Sequence, residues 1–152
     1  MAVNDNITNH KAQYRLTWAA IIVALVLVVP GFIVGGVVAM LYKSFLGSLG
    51  IGGNHWIFFL EWIDKIVLAW FPSLLHGMVG GALAIAITGK LFKHANMEIV
   101  SYSVSAIYVS VFIAAVVFSF YITNLDEDLV LVTVETIGIV LGLFYFRALG
   151  HQ

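Results

Sequence analysis

Three long stretches of the chain contain no Asp, Glu, Lys or Arg, and they constrain the fold more than any other feature. They are residues 16–42, 66–89 and 99–125, with lengths of 27, 24 and 27 residues. A helix needs about 20 apolar residues to cross a bilayer core roughly 30 Å thick. A fourth stretch, residues 129–146, has one acid, Glu135, among its 18 positions. The pattern predicts an all-α integral membrane protein with four transmembrane helices.

The composition excludes several other classes of protein. Hydrophobic residues make up 62% of the chain and charged residues 10%, whereas a soluble domain has about 45–50% and about 25%. A net charge of −1 leaves no basic surface for nucleic acid. The chain has no Cys, and we find no zinc, di-iron, bis-histidine haem or hydrolase motif. We therefore expect no catalytic residue, no metal and no cofactor, and we do not expect an enzyme.

The positions of Lys and Arg predict the orientation, because these residues favour the cytoplasmic side of a membrane. With four crossings, the N-terminal tail (1–15), the loop 90–98 and the C-terminus (147–152) share one side. That side holds five of the seven Lys and Arg residues, and Lys43 and Lys65 lie on the other. We expect both termini in the cytoplasm, with the bacterial inner membrane as the location.

The predicted topology divides the chain into consecutive segments. They are a cytoplasmic tail (1–15), a first span (16–42), an extracytoplasmic segment (43–71), a second span (72–89), a cytoplasmic loop (90–98), a third span (99–123), an acidic extracytoplasmic turn (124–128), a fourth span (129–146) and a cytoplasmic C-terminus (147–152). The first span is far longer than the roughly 7–15 apolar residues of a signal peptide, so we expect it to be retained.

An amphipathic helix is predicted over residues 55–71, between the first and second spans. Apolar residues recur there at helical spacing, and Glu61 and Lys65 lie on the opposite face. Trp56, Trp62 and Trp70 are typical of a membrane interface. Such a helix can lie flat on the outer leaflet, pack on its own bundle as a short extramembrane helix, or do both.

Small residues at helical spacing predict close helix packing, because helices in lipid associate through close backbone approach. The glycines concerned are Gly31 and Gly35 in the first span, Gly77 and Gly81 in the second, and Gly138 and Gly142 in the fourth. Packing within one four-helix unit explains some of them. Three small faces in so small a protein also favour self-association.

Glu135 is the candidate functional residue. An acid near the centre of a membrane costs about 2.5–3.5 kcal/mol on insertion scales, so it should face protein or water. The sequence offers two partners for it. A hydrogen bond from Ser119 would make Glu135 structural, whereas a pair with His76 could exchange protons or contact a cation.

These observations leave several functions open. The first is a homo-oligomeric channel-like or pore-like assembly with Glu135 in its interior. The second is a non-catalytic anchor or accessory subunit of a larger transport, secretion or defence complex, with a protein partner at the cytoplasmic face. A dimeric secondary transporter is a third, although the paired broken helices of such folds are missing. In each case the lipid bilayer is the first partner.

Overall fold

A computed structural model describes residues 2–49, 65–122 and 127–147, and the side chains of residues 12–49, 65–118 and 129–147. Within these ranges the backbone is helical apart from short turns, and it contains no strand. The four α-helices of the described residues are α1 (Ala2–Ser48), α2 (Phe71–Leu91), α3 (Met97–Ile122) and α4 (Glu127–Tyr145). A π-helix, Lys65–Trp70, leads directly into α2.

Three of these helical segments are long and apolar enough to cross a membrane: Ala12–Ser48, Lys65–Leu91 and Met97–Phe118. The described apolar part of α4, Leu129–Tyr145, is shorter. Large apolar side chains are exposed along the bundle, such as Ile33 at 70% and Met40 at 73%. Apolar residues around the whole circumference are typical of a helix in lipid. The prediction of an all-helical protein is confirmed, and its helices fit a membrane-integral protein.

Several predicted features lie outside the described residues. They are most of the amphipathic helix 55–71, with Trp56 and Trp62, together with the centre of the acidic turn and the last residues of the chain. The end of that predicted helix, residues 65–70, is the π-helix, and Trp70 lies half-buried at its junction with α2. At the N-terminus, α1 begins at Ala2, within the predicted tail 1–15.

The first two helices run antiparallel. The amide of Asn96, just beyond α2, donates to the hydroxyl of Thr17, in the N-terminal half of α1, at 3.3 Å. At the opposite end, the rings of Tyr42 and Phe71 have centroids 5.2 Å apart. The N-terminal half of α1 therefore lies beside the end of α2, and the C-terminal part of α1 lies beside the start of α2.

The last two helices are also antiparallel, and α4 runs parallel to α2. The hydroxyl of Ser101 donates to the carbonyl of Leu143 at 3.4 Å, and Glu98 lies 3.7 Å from Arg147. The four helices of the described residues thus alternate in direction. The N-terminal half of α1 and the start of α3 lie at one end of the bundle with the ends of α2 and α4.

The hydrophobic core lies in the half of the bundle nearest the α2–α3 connection. It consists of Ala20, Ile21, Ala24, Ile85, Ala95, Met97, Val100, Val104, Ile139 and Leu143. In the other half α3 packs less closely, and Val111, Ile113, Val117 and Phe118 are exposed. A cavity of about 350 Å³ opens there between α3 and α4, lined by Val109, Phe112, Thr133, Thr136, Ile137, Val140 and Leu141.

Candidate functional site

Two glycines bring α1 against α2. Gly31 and Gly35 are both buried. A β-carbon built on Gly31 would lie 2.7 Å from the carbonyl oxygen of Gly80, and one on Gly35 would overlap the carbonyl oxygen of His76. Both obstacles are backbone atoms, which cannot rotate away as a side chain can. The backbones approach here because the side chains are absent.

Four more buried glycines bring α2 against α4. A β-carbon on Gly77 would overlap the carbonyl oxygen of Glu135, and one on Gly81 that of Ile139. From the other side, Gly138 faces the carbonyl oxygen of Leu74, and Gly142 that of Met78. All six predicted packing glycines therefore contact other helices of the same chain. Their small faces do not need a second copy to be covered, and self-association stays a prediction.

The α2–α4 crossing holds the candidate site, which is the side-chain pair of His76 and Glu135. The Nδ1 atom of His76 lies 2.7 Å from Oε1 of Glu135. Its other ring nitrogen, Nε2, lies 2.8 Å from the backbone carbonyl oxygen of Phe32 on α1. One imidazole thus links three helices through both of its nitrogens.

Gly35 on α1 makes room for this imidazole, and the adjacent Gly36 borders it. A β-carbon on Gly35 would come 2.9 Å from Cδ2 of the His76 ring, and one on Gly36 would lie 3.8 Å from Nε2. The Phe32 ring packs with its edge toward the imidazole, and the two ring centroids are 5.0 Å apart. The ring is therefore located by packing as well as by its hydrogen bonds.

The pair lies near the middle of α4. Glu135 comes eight residues after the start of the helix at Glu127 and ten before its end at Tyr145. At about 1.5 Å per residue, these separations are roughly 12 and 15 Å. Side-chain exposure is 30% for His76 and 28% for Glu135 in the single chain. A polar, partly open pair thus lies among apolar helices.

No protein-family model, curated protein or solved structure matches this chain. The chemistry of the site therefore has to be argued from its own atoms. A carboxylate and an imidazole in contact can bind, release and pass a proton. Among the described residues, no group of three or more His, Cys, Asp or Glu side chains could hold a metal ion.

Of the two partners that the sequence offered for Glu135, the structure places His76 in contact. The side chain of Ser119 lies outside the described residues. The cavity between α3 and α4 is bordered by Val109 and Phe112 on one side and by Thr133 and Thr136 on the other. Residues 109–112 of α3 therefore lie at the level of Glu135.

Two described serines of α3 lie inside the bundle. Ser101 is fully buried, and its hydroxyl donates to the carbonyl of Met97 in the preceding turn at 2.9 Å. Ser105, with 7% exposure, lies one turn further on. The bond of Ser101 to its own helix is a common one for a serine hydroxyl. Both serines face the core.

Two participants of the site are absent from the sequence prediction, the carbonyl of Phe32 and the small residue Gly36. A backbone carbonyl has no signature in a sequence. Gly36 follows Gly35 directly, so it lies at the margin of the small face that Gly31 and Gly35 form at helical spacing, and that face is a usable signal for a close contact. Assigning His76 to that contact would have required the antiparallel register of α1 and α2.

Proposed function

We propose that this chain is a small four-helix integral membrane protein that forms a channel-like, homo-oligomeric assembly, with Glu135 and His76 as its ion- or proton-contacting groups. The observation that carries the proposal is the 2.7 Å contact between the two side chains near the middle of an apolar helix. Ionisable groups at such depth are costly, and they typically mark ion pathways. The proposal includes no catalytic role.

The exposure of the pair supports a covered or water-lined site. Close to a third of each side chain is open in the single chain. At the level of the hydrocarbon core, that open surface would meet lipid, which offers no hydrogen-bond partner. A second copy of the chain or a water-filled path would remove this cost. The exposed polar pair, and not the glycines, therefore favours self-association.

The distribution of charge supports the proposed orientation. Arg15, Lys90, Lys93 and Arg147 belong to one end of the bundle, and Lys43 and Lys65 belong to the other. Because cationic residues favour the cytoplasmic side, we place the first end in the cytoplasm. In a bacterium this corresponds to insertion in the inner membrane.

The test is ion flux in liposomes that contain the purified protein. We compare the wild type with Glu135→Gln, which keeps the shape of the side chain and removes its charge. Glu98→Gln is the matched control, since Glu98 is 60% exposed at the end of the bundle. We expect flux in the wild type and the control, and a large loss in Glu135→Gln. Equal flux in all three proteins would refute the proposed role of Glu135.

One observation favours the alternative function, an accessory subunit of a larger complex. All six packing glycines are used within the chain, so the bundle can be complete as a single copy. The mass of the purified protein in mild detergent separates the two proposals. A stable symmetric oligomer supports the channel-like assembly, whereas a monomer favours the accessory subunit.

A further inference from the structure

The hydrogen bonds of His76 fix where one proton of the pair must lie. A backbone carbonyl oxygen has lone pairs and no hydrogen, so it can only accept. The 2.8 Å contact between Nε2 of His76 and the carbonyl of Phe32 therefore requires a hydrogen on Nε2. This proton is held by the contact of α2 with α1. The remaining nitrogen, Nδ1, faces Glu135.

A second proton must lie between Nδ1 and Oε1 of Glu135. These atoms are 2.7 Å apart, a distance typical of a charge-assisted hydrogen bond. The proton resides either on Nδ1, which gives an imidazolium and a carboxylate, or on Oε1, which gives a neutral imidazole and a carboxylic acid. The two arrangements have the same composition and the same net charge. They differ only in the position of one hydrogen.

We infer that the ion handled by this site is the proton, exchanged at the position shared by Nδ1 of His76 and Oε1 of Glu135. The inference rests on the proposed function and names its transported species. A transition-metal ion held through the imidazole would need a free lone pair on the ring, but Nε2 carries a hydrogen toward Phe32 and Nδ1 is engaged by Glu135. An alkali cation would contact oxygen atoms instead, and the flux experiment below distinguishes it from the proton. The described residues also offer no group of three or more ionisable metal ligands.

Release of the shared proton breaks the contact between the two side chains. Without it, the lone pair of Nδ1 would face the lone pairs of a carboxylate at 2.7 Å, which is repulsive. The proton passes to water on the open side of the pair, and the side chains of α2 and α4 separate. A proton taken up from water restores the bond. Proton transfer is thus coupled to the opening and closing of the contact between His76 and Glu135.

The described surroundings contribute few other ionisable groups. On α1 the pair meets Phe32, Gly35 and Gly36, and none of these residues titrates. The titratable residue of α3 at this level is Tyr108, which packs against the hydrophobic core. The remaining charged residues of the packed helices lie away from this level and comprise Asp5, Lys11, Arg15, Lys43, Lys65, Lys90, Glu98, Glu127 and Asp128. His76 and Glu135 therefore form the exchanging pair.

The experiment measures proton flux and alkali-cation flux on the same liposomes. A pH-sensitive dye inside the vesicles reports protons while a potassium gradient with valinomycin supplies the driving force, and sodium flux is recorded separately. We expect proton flux without sodium flux in the wild type. His76→Gln and Glu135→Gln should each slow proton flux on the order of 100-fold, since a positioned acid–base group contributes about that much. His94→Gln and Glu98→Gln are the matched controls.

A second measurement records the protonation of His76 in the wild-type protein, and it uses a variant only to assign the signal. Nitrogen-15 spectra of the reconstituted wild-type protein, with His76 assigned by its loss in His76→Gln, should show a hydrogen on Nε2 and a strongly hydrogen-bonded Nδ1. A hydrogen-free Nε2 overturns the inference. Sodium flux in the absence of proton flux overturns it as well and leaves the proposed function standing. Absence of any ion flux refutes the proposed function. Failure of the proton inference and failure of the proposed function therefore give different flux results.

Discussion

Replacing Gly35 by Ala and, separately, Gly36 by Ala tests the packing that locates the candidate site. The two glycines are neighbours in the same helix, and both exchanges add one methyl group. Their surroundings differ. A β-carbon on Gly35 would overlap the carbonyl oxygen of His76 and lie 3.1 Å from its carbonyl carbon, whereas one on Gly36 would meet only Nε2 of the imidazole, at 3.8 Å.

The difference in the free energy of unfolding between the two variants isolates the cost of the overlap between a β-carbon at position 35 and the backbone of His76. Exchange of Gly for Ala in a helix contributes up to about 1 kcal/mol through helix propensity, and this gain is common to both. Insertion of a methyl group into a closely packed region costs about 1–3 kcal/mol. Because the obstacle at Gly35 is backbone, α1 and α2 must separate. We expect Gly35→Ala to be about 1–3 kcal/mol less stable than Gly36→Ala.

The assay is the free energy of unfolding in mixed micelles, measured by circular dichroism as denaturing detergent is added. Each variant is compared with the wild type under the same conditions. Gly36→Ala should match the wild type or exceed it slightly, since 3.8 Å is an ordinary contact. Equal stability of the two variants would show that α1 and α2 do not pack on Gly35, and the position of His76 would lose its support.

Two further predictions concern the end of the bundle near the α2–α3 connection. Asn96 caps α3, because its Oδ1 accepts from the amides of Glu98 at 3.1 Å and Ile99 at 3.2 Å. Asn96→Ala should therefore lower the free energy of unfolding by about 1 kcal/mol, whereas Asn96→Asp, which keeps the acceptor oxygen, should not. The same detergent titration measures both variants. Glu98 and Arg147 form an exposed ion pair at 3.7 Å, so Glu98→Gln should change that free energy by less than about 1 kcal/mol. A large loss in Glu98→Gln, or none in Asn96→Ala, would contradict these assignments.

The spans could be predicted from the sequence because the membrane imposes a length on them. A charge-free stretch of 24 residues, such as 66–89, can satisfy its backbone in lipid only as a helix. The residues at which the helices begin and end were less predictable. The π-helix Lys65–Trp70 continues the helix into α2 through Pro72, where a helix start was expected. The hydroxyl of Ser73 donates to the carbonyl of Ala69 at 2.9 Å across this junction, a local contact that hydropathy does not record.

The candidate site was less accessible to sequence reasoning, because its partners come from helices that are not consecutive. Depth counted from the turn between the third and fourth spans led to Ser119 as one partner for Glu135. In the structure α4 packs closely on α2, through Gly77 and Gly138, and this crossing places His76 against the acid. A glycine pattern shows that a helix face can be approached, but it does not name the helix that approaches it. Non-consecutive packing therefore decides the partner of Glu135, and the proton-sharing contact exists only where α1, α2 and α4 meet.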